Sequence, residues 1–84
     1  MDISRAEQRI LHLLAQGGHI QATKTDKRVV HVACYTREGW RYPDLDVALF
    51  RKLKRRRTIR SLNGGPYRIT RRGLELVRSQ MDNR

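Results

Sequence analysis

Apolar positions Ala6, Ile10, Leu13 and Leu14 recur at helical spacing behind Ser4-Arg5-Ala6-Glu7, where a Ser and a Glu three residues later match a capping box. The glycine pair Gly17-Gly18 supplies the backbone freedom that ends a helix, so the pattern predicts a helix from Arg5 to Gln16. From His19 to Thr36 the period shortens. Ile20-Gln21-Ala22-Thr23 and Val29-Val30-His31-Val32-Ala33-Cys34-Tyr35 flank a Thr25-Asp26-Lys27 turn and read as a hairpin. Arg37-Glu38-Gly39 is turn material, and Trp40-Arg41-Tyr42 adds a short extended piece that Pro43 stops. Leu45, Ala48, Leu49 and Leu53 then share one face of a second helix, with Asp44 as its N-cap and Leu49 at the centre of its buried side. On that reading Arg51, Lys54 and Arg55 point away from the core. Ile59-Arg60-Ser61-Leu62 and Tyr67-Arg68-Ile69 form a second hairpin around Asn63-Gly64-Gly65-Pro66. Thr70 caps a third helix whose inward stripe is Leu74, Val77 and Met81, with Gly73 permitting a close approach near its start.

The expected fold is therefore α+β, in the order helix, β-hairpin, helix, β-hairpin, helix. Its last three elements have the arrangement of a winged helix-turn-helix, so residues 1–84 are read as a single winged-helix-like domain with the second hairpin as its wing. One departure is visible. An ordinary winged helix has a further short helix between its first and its recognition helix, and here that place reads as β.

Charge changes the picture more than length does. The 84 residues, enough for one core, carry 19 Lys plus Arg against 8 Asp plus Glu, a net charge of +11. The excess is lopsided: residues 1–46 hold seven cations and six anions, whereas residues 47–84 hold twelve cations and two anions. Arg51, Lys52, Lys54, Arg55, Arg56, Arg57 and Arg60 fall within ten residues, and no acid occurs between Asp46 and Glu75. Such a run points to a contact surface for phosphates or carboxylates, although cations at a helix C-terminus also complement its dipole by about 0.3 to 1 kcal/mol each. Arg68, Arg71 and Arg72 extend the patch if the hairpin packs beside the second helix; otherwise they protect an exposed strand edge by charge. The few aromatics are not interleaved with the basic run, which argues against a platform that stacks single-stranded bases.

The remaining chemistry is sparse. Cys34 is the one cysteine, so no intrachain disulfide forms, and charges in MDISRAEQRI argue against a signal peptide. No apolar run approaches the ~20 residues that span a bilayer. A cytoplasmic protein without membrane attachment is expected. His31 and Cys34, three apart on a strand, point to opposite faces and do not cooperate as ligands or catalysts. No metal, cofactor, small-molecule substrate or enzymatic activity is expected.

The stretches SRAEQRILHLLAQGG, CYTREGW, the run from Val47 through FRKLK to Leu62, NGGPYRIT and the ending DNR resemble the small bacterial YjhX-type family across nearly the whole chain. The resemblance implies a toxin of a toxin-antitoxin pair that binds DNA topoisomerase I and hinders DNA relaxation, neutralised by a cognate antitoxin protein. The basic residues supply a second expectation, a DNA-binding winged-helix regulator. On either expectation the contact residues are Arg51, Lys52, Lys54, Arg55, Arg56, Arg57, Arg60, Arg68, Arg71 and Arg72, chosen by charge.

Overall fold

The capping box at Ser4 forms. Its hydroxyl accepts from the Glu7 N–H at 3.2 Å while the Ser4 N–H donates to Glu7 Oε1 at 3.0 Å, starting α1 (Arg5–Ala15). The helix closes on Gly17, φ 107°, whose N–H bonds the Leu14 carbonyl while that of Gly18 bonds Leu13. In this computed structural model the backbone is described for residues 3–82 and the side chains for residues 3–79. The inward face of α1 is Glu7, Ile10, Leu11 and Leu14; Ala6 is exposed and Leu13 only half-buried. The helix is thus rotated from the expected stripe, because the carboxylate of Glu7 is drawn inward by partners described below.

Strands β1 (His19–Thr25) and β2 (Arg28–Tyr35) pair antiparallel from His19↔Tyr35 to Thr25↔Arg28, with a bulge at Thr23/Lys24. Asp26 and Lys27 both have positive φ, 50° and 66°, the mirror-image turn whose twist matches that of the strands it joins. The short piece after Trp40 becomes β3 (Arg41–Tyr42), paired to the end of β2. The second hairpin is β4 (Ile59–Ser61) with β5 (Tyr67–Ile69). Both hairpins merge: Ile20 pairs with Tyr67, giving one antiparallel sheet in the order β3-β2-β1-β5-β4. Among the described residues the molecule is a small α+β domain of three helices and five strands, with strands where a winged helix would have its extra short helix.

The second helix, α2 (Val47–Arg55), is capped by Asp46, which accepts from the Leu49 N–H at 2.7 Å, and not by Asp44. Both aspartates follow Pro43; Asp46 takes the cap, and Phe50 and Leu53 are the residues that turn inward. Leu53 is fully buried, Phe50 meets Tyr67 edge-on at 4.9 Å, Leu49 is half-buried and Ala48 is exposed. This corrects the expected Leu45-Ala48-Leu49-Leu53 stripe. In α3 (Arg71–Asp82) a Cβ on Gly73 would lie 2.6 Å from the Thr58 carbonyl oxygen, so only glycine lets the helix seat there. Val77 is buried and Leu74 half-buried; the side chain of Met81 lies outside the described residues.

Glu7 joins α1 to α2. Its side chain is fully buried, with Lys52 Nζ 3.3 Å from Oε1 and Arg56 Nε 3.1 Å from Oε2. Burial is the largest single influence and pushes its pKa up, but the two Ser4 hydrogen bonds, Lys52 and Arg56 together outweigh it and hold the carboxyl below its ordinary 4.5.

Two stability predictions follow from this packing. Leu53→Ala opens a cavity in the core and costs ~2 to 5 kcal/mol in urea unfolding, whereas Leu49→Ala costs clearly less. Because the folded pKa of Glu7 is depressed, the native state binds fewer protons than the unfolded one. Its stabilisation is present above the unfolded pKa and is lost as pH falls through the lower folded value. Glu7→Gln is therefore less stable than wild type by ~1.5 to 3 kcal/mol at pH 7, the worth of hydrogen bonds to a charged group. Melts taken at falling pH show that gap narrowing below pH ~4.5, where the unfolded wild-type chain takes up the proton, and levelling off once the folded carboxyl protonates at its lower pKa.

Candidate functional site

At roughly 100° per residue α2 sorts its cations by direction. Lys52 and Arg56, one turn apart, lie on the flank that faces α1 and are ion-paired with Glu7. Lys54 lies on the other flank, with Nζ 5.7 Å from the Tyr67 ring centroid, a cation-π contact across to β5. Arg51 and Arg55 point outward, opposite Phe50 and Leu53. Arg51, Lys54 and Arg55 are all exposed, as the sequence pattern requires.

The C-terminal end of α2 is a joint. The Arg57 N–H bonds the Lys54 carbonyl at 3.0 Å and the Thr58 N–H bonds Leu53 at 3.1 Å, the same closing motif that Gly17 makes in α1. Here the left-handed position, φ 61°, is filled by Arg57. The helix-end carbonyls find donors: Thr58 Oγ1 donates to Leu53 at 2.8 Å, Thr70 Oγ1 to Arg57 at 2.8 Å and Arg72 Nε to Arg56 at 3.0 Å. Thr70 also caps α3 by accepting from the Gly73 N–H at 3.1 Å. Arg72 is thus a clamp between α3 and α2.

On the hairpin, Arg60 and Arg68 are directly cross-strand partners, and both are exposed. Like charges so placed oppose pairing unless an anion comes between them. Arg60, Arg68 and Arg71 line one hollow; Lys54, Arg57, Arg60 and Tyr67 line its neighbour. Of the ten cations named from charge, Lys52, Arg56 and Arg72 carry ion pairs or hydrogen bonds to other elements, and Lys54 the cation-π contact with Tyr67. Arg51, Lys54, Arg55, Arg57, Arg60, Arg68 and Arg71 are all exposed, on α2, its end, the hairpin and the start of α3.

Elsewhere the structure separates His31, exposed, from Cys34, fully buried, across the sheet. Burial pushes the Cys34 thiol up to about 11, so at neutral pH it is not ionised. Among the described residues no group of three His, Cys, Asp or Glu could hold a metal ion, and no helix is long and apolar enough to cross a membrane. The charge reasoning missed two features: the buried Glu7, visible only as a capping residue, and an arginine cleft beside α1 lined by Arg5, Arg9 and Arg37. Arg5 and Arg9, four apart on a helix, were the available signal for the cleft.

Arg57 supplies a direct test of local strain. A side chain in the left-handed region costs ~1 to 2 kcal/mol that glycine does not incur. Arg57→Gly therefore raises the thermal midpoint of the domain while removing one exposed cation, and a lowered midpoint shows that the arginine stem holds the joint.

Comparison with known proteins places the chain in a family. A family model described as "Putative toxin of bacterial toxin-antitoxin pair" matches residues 1–84. A UPF0386 protein of Chelativorans sp. (strain BNC1) is 69% identical, with 100% of both chains covered. One of Hyphomonas neptunium is 69% identical over 99% of each chain, and one of Sinorhizobium fredii is 64% identical over 100% of each. No solved structure matches. Matched from end to end, and with relatives this similar over their full lengths, the chain belongs to the YjhX_toxin family of bacterial toxin-antitoxin pairs.

Proposed function

We propose that this toxin-family protein acts without catalysis, by binding DNA topoisomerase I through the cationic face of α2 and the β4–β5 hairpin and so hindering DNA relaxation. The single observation that supports the surface is the set of seven exposed cations, Arg51, Lys54, Arg55, Arg57, Arg60, Arg68 and Arg71, along a segment without one acid. Arginine forks on such a face fit carboxylates and phosphates alike, and a field of this size speeds encounter with an acidic surface. The choice of topoisomerase I as target rests on the resemblance of the chain to its family. A cognate antitoxin is the second protein partner.

A second reading, a DNA-binding winged-helix regulator, has one observation in its favour. A basic helix is followed directly by a hairpin that presents Arg60 and Arg68 side by side, as a wing presents cations to a phosphate backbone.

The two readings diverge in a pull-down with purified topoisomerase I. Enzyme retained after nuclease treatment supports direct binding; enzyme lost when DNA is digested overturns it and favours DNA as the ligand. In the same assay the triple variant Arg51→Glu, Lys54→Glu, Arg55→Glu keeps a native circular dichroism spectrum, since exposed substitutions cost ~0.5 kcal/mol or less each. It loses inhibition of relaxation because each reversal turns attraction into repulsion. Unchanged inhibition by the folded triple variant removes this face from the mechanism.

A further inference from the structure

The cleft beside α1 is chemically unlike the α2 face. One wall is the exposed side of α1, where Arg5, Arg9 and His12 form a row along the helix; the other is the loop after β2, which contributes Arg37. The Arg37 stem lies over Gly17, whose missing side chain leaves room for it: a Cβ there would sit 3.2 Å from the stem carbons, at a φ of 107° that favours glycine. The loop is held in shape. The Thr36 N–H donates to the Trp40 carbonyl at 2.8 Å, the Trp40 N–H to Thr36 Oγ1 at 3.0 Å and the Gly39 N–H to the Thr36 carbonyl at 3.0 Å. This rigid loop carries Trp40, which is 75% exposed.

We infer that this cleft is the docking site for an acidic, partly apolar segment of the antitoxin. The inference rests on the toxin-antitoxin family, not on topoisomerase I as the target. Charge complementarity commits the occupant: among the described residues Arg5, Arg9 and Arg37 are exposed and make no ion pair, and Glu38 is the one acid on the cleft lining. The rest of the lining selects a peptide over a nucleic acid backbone. The Gln8 amide offers a donor and an acceptor, as a polypeptide main chain requires, Gln16 adds its carbonyl oxygen while its Nε2 lies 3.3 Å from His12 Nε2, and half-buried Leu13 and Tyr42 supply apolar ground for aliphatic side chains. The loop that contributes Arg37 to the cleft also carries the exposed Trp40, and tryptophan and arginine are residue types on which protein interfaces concentrate their binding energy.

The test uses the full-length protein and, as probe, the purified product of the gene paired with this one at its locus. Hydrogen exchange on the wild-type complex slows in residues 5–16 and 36–42. Arg9→Glu with Arg37→Glu weakens antitoxin binding by at least about tenfold, and Trp40→Ala does so comparably, as loss of an interface anchor does. The triple α2 variant binds the antitoxin as wild type does. Protection confined to residues 51–71, unchanged affinity of the Arg9/Arg37 variant, failure of the paired protein to bind, or its displacement from the cleft by duplex DNA each overturns the inference. The topoisomerase I pull-down, repeated with the Arg9/Arg37 variant, reads the other face separately, so either proposal can fail while the other stands.

Discussion

The buried carboxylate of Glu7 is the constraint on which the arrangement of this domain depends. Seven cations within ten residues repel one another, and the segment that carries them must still present Phe50 and Leu53 to the core. Glu7 relieves part of that repulsion from inside, taking Lys52 at 3.3 Å and Arg56 at 3.1 Å. Burying one carboxylate is costly unless its oxygens are engaged, and here the Ser4 capping contact and two cations share the task. The pairing also sets the roll of α2. With Lys52 and Arg56 turned to α1, helical geometry sends Arg51 and Arg55 outward and Lys54 toward Tyr67. The division between structural and available cations is thus a consequence of one acid in another helix.

The end of α2 shows the same division in the backbone. Two helices close with the same pair of hydrogen bonds, once on Gly17 and once on Arg57. Glycine serves α1, where the vacant Cβ position admits the Arg37 stem. At α2 an arginine occupies a conformation that disfavours it, and three donors from Thr58, Thr70 and Arg72 hold the joint in place around it.

How much of this was legible in the sequence depends on whether the determining contact was local. The Ser4 capping box, the Thr70 cap, both hairpin turns and the short strand after Trp40 are all set within a few residues, and each forms as its pattern requires; Gly73 was legible as a point of close approach, but not the Thr58 carbonyl that it meets. The register of α2 was missed because Asp44 and Asp46 are the same residue type two positions apart, and the contacts that orient the helix, Phe50 with Tyr67 and Lys52 and Arg56 with Glu7, are not local in sequence. The joining of the hairpins rests on the pairing of Ile20 with Tyr67, which no local periodicity encodes. The charge run located a cationic face but could not sort it. Lys52 and Arg56 are indistinguishable from Arg51 and Arg55 until the acid opposite them is known.

The same contrast separates the two halves of the surface. The second half of the chain gathers cations with little else, which favours rapid, salt-sensitive approach to an anionic partner and discriminates poorly among such partners. Around α1 the charges are nearly balanced along the sequence, and the arginines stand among amides, a tyrosine, a leucine and a loop stiffened by its own hydrogen bonds. Mixed chemistry on rigid elements discriminates well, because a ligand must satisfy donors, acceptors and apolar ground together. In a domain of 84 residues the wholly cationic face and the mixed-chemistry cleft lie on different helices, α2 and α1.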